Sequence, residues 1–237
     1  MRLPLLILLS ALIAFPAQAA TLPSPFTAVY ALKKGPIIIG ETRRSLIIDN
    51  EGNNIFESVT RPRGVAKLIT RGQIVERSRW IVQQDRLTPL EYTYFNTGSE
   101  QSHDVHLYFD WQAHTITNTI NGDPWHMPLV DGAQDRLLYQ LQLMQDLQDG
   151  KTKISYPVAD GGKLKTYALE RMGVETITTP LGTFETVRLR LVHGKRQTTI
   201  WCAATLDFLP VRIEQRTEDE GPLNAVLESV KGLRTED

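Results

Sequence analysis

From Phe26 onward the chain keeps returning to one pattern: a run of residues that alternates in polarity, rich in β-branched and aromatic side chains, closed by a short cluster of Gly, Asn, Asp or Pro. A period of two turns one face of each run toward a core and the other toward solvent. Connectors as short as Asp85-Arg86, Gly98-Ser99 and Gln112-Ala113 cannot carry the crossover of roughly a dozen residues that a parallel pair needs. The pattern therefore confines the chain to antiparallel neighbours laid down in order, a meander.

The first runs read as strands over Phe26–Lys33, Ile37–Asp49 and Ile55–Thr60, with Gly35-Pro36 and the tip Asn50-Glu51-Gly52-Asn53-Asn54 between them. Asn and Gly tolerate positive φ, which tight hairpins demand. Pro62 and Gly64 interrupt the next run and point to a bulge or an edge. Gln73–Gln83, Leu90–Asn96, His103–Trp111 and Thr115–Ile120 continue the series to the turn Asn121-Gly122-Asp123-Pro124. After a helical interval, strands resume at Ile154–Val158, Leu164–Arg171, Val174–Thr178, Thr183–Val192, Thr198–Ala203, Val211–Thr217 and Ala225–Val230.

The interval begins at Asp131. Leu137, Leu141, Met144 and Leu147, with Leu138 beside them, recur at helical spacing, and Gly150 follows as a stop. Asp131 and Gln134 have the spacing of a capping box. The expectation is one amphipathic helix over about Asp131–Asp149, its apolar stripe against the sheet. The fold class is mainly β: a large curved antiparallel sheet or half-barrel of roughly a dozen strands with that one helix.

Ahead of the strands, Arg2, the apolar run Leu3–Phe15, Pro16 and Ala17-Gln18-Ala19 follow the order of a cleavable secretory signal. The apolar run falls short of the roughly 20 residues that a spanning helix needs. Residues 1–19 are thus expected to be removed near Ala19, leaving a single periplasmic domain over 20–237 with no transmembrane segment. The full chain has 26 basic and 27 acidic side chains, a formal charge of −1, and loss of Arg2 makes it more negative. That balance offers no field for nucleic-acid phosphates. Cys202, the sole cysteine, can form neither an internal disulfide nor a lipid-modified amino terminus; in the run Thr198–Ala203 it reads as a buried, inert thiol.

No catalytic constellation emerges. His103, His106, His114 and His126 fall close together, but residues three apart on a strand point to opposite faces; Asp104 and His106 share a face, yet a zinc site needs three or four ligands. There is no Gly-x-Ser-x-Gly elbow, Gly161-Gly162 is a hairpin turn, and Asp219 and Glu220 belong to a solvated tip. Arg188, Arg190, Lys195, Arg196, Arg212 and Arg216 gather toward the carboxy-terminal strands. They suit either cross-strand pairing with Glu185, Glu214 and Glu218 or capture of an anionic group.

Thr179-Pro180-Leu181-Gly182-Thr183-Phe184-Glu185-Thr186-Val187, the stretch from Thr198-Thr199-Ile200-Trp201-Cys202-Ala203 through Phe208-Leu209-Pro210-Val211-Arg212-Ile213, and Asp135-Arg136-Leu137 at the helix together resemble the bacterial envelope family known as domain of unknown function 3108. Cys202 departs from that pattern, where a larger aliphatic residue is expected. The resemblance implies an exported β-rich domain and brings no catalytic residue. In structural terms Pro180-Leu181-Gly182 reads as a tight connection, Trp201 as a core anchor and Pro210 as the start of an edge or terminal strand. A curved sheet around one helix is similar to the half-barrels of lipoprotein carriers. The expected function is a non-enzymatic envelope protein that binds a lipid or other apolar ligand between sheet and helix, with a protein-interaction module of the envelope as the alternative and a hydrolase third. No cofactor and no metal site are expected, and no catalytic or ligand-binding residue is assigned.

Overall fold

A computed structural model describes residues 24–69, 72–98, 103–218 and 221–233. The expected signal, Met1–Ala19, lies outside them, as do Asp219 and Glu220. Eight strands come first: β1 (Phe26–Lys34), β2 (Ile37–Ile48), β3 (Asn54–Pro62), β4 (Ile74–Gln83), β5 (Arg86–Asn96), β6 (His103–Asp110), β7 (Thr115–Ile120) and β8 (Asp123–Pro128). The two-residue β9 (Gln134–Asp135) leads into the helix α1 (Tyr139–Gln148). β10 (Ile154–Asp160), β11 (Lys163–Thr179), β12 (Gly182–His193), β13 (Arg196–Ala203), β14 (Leu209–Thr217) and β15 (Leu223–Lys231) complete the chain.

All fifteen strands form one open sheet in the order β8-β7-β6-β5-β4-β3-β2-β1-β15-β14-β13-β12-β11-β10-β9. The first and last strands pair at its centre, and its two free edges come from the middle of the chain. Each neighbouring pair is antiparallel except β9 with β10. The meander expected from the short connectors is thus present, with fifteen strands against the expected dozen, and the runs Leu164–Arg171 and Val174–Thr178 belong to one strand, β11, whose register shifts between Arg171 and Val174. Twist accumulated along such a sheet brings its ends together: Trp125 Nε1 on β8 donates to the Gly162 carbonyl in the β10–β11 turn at 3.3 Å. Gly162 has φ +75°, and a Cβ there would lie 2.4 Å from the Trp125 ring, so glycine is required both by backbone and by space. Pro124 and Pro128 are tolerated on β8 because it is a free edge.

The helix is shorter than expected, and its capping is different. Asp131 and Gln134 form no capping box; Gln134 lies in β9 and its Nε2 donates to the Leu87 carbonyl at 2.7 Å. Asp135 instead caps the turn that leads into α1, accepting from the Leu137 and Leu138 amides at 2.8 and 2.7 Å, and Leu138 at the helix start has no side-chain cap. Nor is α1 amphipathic in the surface sense. Eight of its ten residues are buried, because the curled sheet surrounds it. Leu141 and Met144 pack with Tyr30, Trp80 and Tyr92, while Tyr139, Leu143 and Leu147 pack with Tyr156, Leu189, Ile200 and Cys202. Of its buried polar side chains, Gln142 and Asp146 are paired, while Gln145 Oε1 has no partner. Gln142 accepts from the Leu87 amide at 2.9 Å and donates to Asp146 at 2.8 Å; Asp146 also accepts from Lys151 at 2.6 Å and from the Tyr156 hydroxyl at 2.7 Å.

Pro210 corrects a second expectation. β14 is an interior strand, paired with both β13 and β15. The register shifts between Trp201 and Cys202, where Pro210 sits opposite, and pairing with β15 begins only at Arg212. A bulge absorbs the missing N–H, and the Pro210 carbonyl accepts from the buried Tyr30 hydroxyl at 2.9 Å. Trp201 is buried as expected, but adjacent strand residues point to opposite faces. It therefore lies opposite Ile200 and Cys202, with the Arg212 guanidinium 4.7 Å from its ring centroid and its Nε1 donating to Glu175 at 2.9 Å.

Candidate functional site

At the amino-terminal end of α1 the barrel interior opens into a cavity of about 580 Å³. β2 supplies Arg44 to its wall, β4 supplies Glu76, the β9–α1 corner supplies Arg136, Tyr139 and Gln140, and the β10–β11 hairpin supplies Asp160, Lys165 and Tyr167. His193, Lys195 and Arg196 at the β12–β13 turn form the rim. Five basic side chains face two acidic ones here, with His193 besides. On a chain that is nearly neutral overall, that concentration of one sign is local.

Much of the cavity's polar surface is already organised. Asp160 accepts from Lys165 Nζ at 2.7 Å and from the Tyr167 hydroxyl at 3.1 Å, and Arg136 Nε lies 3.5 Å from its other oxygen. Burial opposes ionisation of Asp160, but the Lys165 hydrogen bond, the Arg136 charge and the Tyr167 hydroxyl outweigh it and hold the carboxyl below its usual value. Burial also opposes the charge on Arg136, and the surrounding Tyr92, Glu76 and Asp160 overcome it and keep that guanidinium firmly charged. Glu76 accepts from the Tyr92 hydroxyl at 2.7 Å. Burial pushes Tyr139 up to about 12 and raises Tyr167 as well, with Asp160 adding to it. Both phenols stay neutral donors.

Two cations remain without an acidic partner among the described residues, Arg44 and Arg196. Arg44 donates to Gln140 Oε1 at 2.6 Å and lies over the Tyr30 ring, 5.3 Å from its centroid. Its buried Nε has no hydrogen-bond acceptor. A half-buried guanidinium answered only by an amide and a ring face carries a charge that no carboxylate offsets. The Lys195 charge is met at the rim by Glu218 at 2.8 Å.

The arginine group expected from the carboxy-terminal strands divides. Arg188 pairs with Glu175, Arg190 with Glu170, and Arg212 and Arg216 both with Glu214. Only Lys195 and Arg196 reach the cavity. Arg44, Arg136 and Lys165 had no signal of their own in the sequence beyond the Asp135-Arg136-Leu137 motif. His106 is placed against Glu91 at 2.7 Å and His126 against Thr117 at 3.2 Å, His114 occupies a turn at φ +50°, and no three of the described His, Cys, Asp and Glu residues converge on one point. Cys202 is fully buried, and burial pushes its thiol far up, away from thiolate chemistry. A larger polar recess, about 730 Å³ at the opposite end around Arg86, His114 and Asp131, has no comparable excess of one sign.

An open antiparallel sheet curled almost to closure around a buried helix, with a cation-lined cavity at the helix start, defines a barrel-like β protein. The family described as Protein of unknown function (DUF3108) matches residues 29–228, and the chain belongs to that family. Among solved structures it is similar to a beta-barrel-like protein of domain of unknown function DUF1849 from Brucella abortus, with a TM-score of 0.56 and 8% identity over 89% of this chain and 98% of that one. Identity that low speaks to the fold alone. No curated protein matches the chain.

Proposed function

We propose that this chain is a non-enzymatic binding protein that holds an anionic small molecule in the cavity beside α1, and that it works in the periplasm after removal of residues 1–19. The single observation that carries the reading is the excess of cations around the cavity, with Arg44 lacking an acidic partner among the described residues. An anion there gains charge-assisted hydrogen bonds in a partly desolvated site. The Leu3–Phe15 run followed by Ala17-Gln18-Ala19 supports export.

An acyl chain between sheet and helix is a poorer fit. Side chains occupy both faces of α1, and the space beside its start is polar. Docking of a partner on the carboxy-terminal arginine face is likewise disfavoured, since Arg188, Arg190, Arg212 and Arg216 are each held by a glutamate.

The test is calorimetric titration of the dialysed mature protein with inorganic phosphate and with citrate at low salt, repeated for Arg44→Gln. Loss of one charge-assisted contact is worth about 1.5–3 kcal/mol, so the variant should bind at least about tenfold more weakly. Wild-type protein that binds neither anion overturns the reading. Cell fractionation tests the compartment: the protein should appear in the periplasmic fraction, shortened at its amino terminus.

A further inference from the structure

A second, smaller chamber of about 130 Å³ adjoins the cavity, and Arg136 lines both. Its walls are largely apolar and aromatic: Tyr92 and Tyr94 on β5, Val105 and Leu107 on β6, Ile120 on β7 and Ala159 on β10. Gly161 and Gly162 of the β10–β11 turn roof it, beneath the contact with Trp125 that closes the seam of the sheet.

Asn118 is the exception among these walls. It lies on the inner face of β7 between Ile116 and Ile120, is 0% exposed, and neither its Nδ2 nor its Oδ1 has a hydrogen-bond partner. Arg44, Trp80, Gln134 and Gln145 each leave a single buried polar atom without a partner; among the described residues only Asn118 leaves two. Leaving a buried amide unmade on both atoms costs about 1–3 kcal/mol for each group, and nothing in the packing calls for Asn where an isoleucine face surrounds it. A carboxamide offers a donor and an acceptor side by side. Its matching partner is another amide.

We infer that the anionic ligand carries a short amide arm, of acetamido or carboxamide type, which passes Arg136 into the chamber and pairs with Asn118 while the anion stays among the cations of the larger cavity. The inference rests on the anion-binding reading and adds the ligand's second half. The chamber's size agrees: a cavity of about 150 Å³ accepts benzene, so 130 Å³ takes a group of a few heavy atoms and no more. The tyrosine and aliphatic walls suit the methyl end of an acetamido group, and Arg136 stands where the two halves of such a molecule would join.

The experiment compares two nearly isosteric anions on the mature protein. N-acetylglycine carries the amide; levulinate replaces its N–H by CH₂, which turns the amide carbonyl into a ketone and keeps the carboxylate. Titrations are followed by ¹⁵N–¹H NMR through the Asn118 side-chain amide signals, identified by their disappearance in Asn118→Leu, with inorganic phosphate as the plain anion. N-acetylglycine should bind at least tenfold more tightly than levulinate and shift the Asn118 signals. In Asn118→Leu, shown to be folded by circular dichroism, that preference should vanish while phosphate binding persists. Equal binding of the two in the wild type overturns the amide arm and leaves anion binding standing. Asn118 signals that no compound moves also overturn it. Phosphate that fails to bind at all removes the anion-binding reading itself and this inference with it.

Discussion

Asp135→Asn isolates the most heavily buried carboxyl of the site region. Asp135 is 0% exposed and accepts from Ser78 Oγ at 2.6 Å and from the Leu137 and Leu138 amides at 2.8 and 2.7 Å. Burial raises its pKa, the three hydrogen bonds pull it back down, and nearby Glu76 adds a smaller upward push, leaving it at about 6 against an ordinary 3.8. A difference of roughly two units at 1.36 kcal/mol each is about 3 kcal/mol. Because the folded pKa is the higher one, the folded protein holds more protons than the unfolded chain between about pH 4 and 6. Its contribution to stability is therefore complete below that window and declines as pH rises through 6. Asn keeps an acceptor for the Leu137 and Leu138 amides and cannot ionise. Wild type will also lose stability toward acid as Asp160, Glu91 and Glu175, all held below their usual values, become protonated, so the informative quantity is the difference between the two proteins. Urea unfolding followed by tryptophan fluorescence at several pH values should show Asp135→Asn gaining on wild type by about 3 kcal/mol from pH 4 to pH 7. Parallel stability curves would refute the argument that burial dominates this carboxyl.

Other substitutions test the architecture. Gly162→Ala should destabilise by about 1–3 kcal/mol in thermal unfolding, since alanine at positive φ is strained and the Trp125 ring occupies the space; an unchanged midpoint would mean that the seam is not held as described. Leu143→Ala, at a fully buried position on α1, should cost about 2–5 kcal/mol, whereas Val192→Ala, on an exposed position of β12, should stay within about 0.5 kcal/mol. Tyr156→Phe removes the hydroxyl that donates to buried Asp146 and should cost about 1–3 kcal/mol, read as a fall in urea midpoint without a change in slope.

The regular part of the fold was legible because antiparallel strands and their turns are local objects. Asn121-Gly122 does turn β7 into β8 with both residues at positive φ, and Gly161-Gly162 does turn β10 into β11. The helix was legible as a helix but not in its extent, because Asp131 and Asp135 are equally good caps on paper. Asp135 prevails because β9 pairs with β10, which fixes the chain as extended up to that residue. The polar residues of α1 also misled: Gln142, Gln145 and Asp146 suggest a solvated face, yet all three are buried, with Gln142 and Asp146 hydrogen-bonded to Leu87, Lys151 and Tyr156.

Periodicity and turn chemistry, carried by neighbours a few residues apart, were enough for the chain by itself to determine a β meander interrupted by one helix. Folding in three dimensions curls the sheet until β8 meets the β10–β11 turn, encloses α1, and brings Arg44, Arg136, Lys165 and Arg196 to one cavity. Those cations lie on different elements of the chain, and no local rule relates them. Their meeting depends on the accumulated twist of fifteen strands, which is a property of the assembled sheet and of no single segment in it.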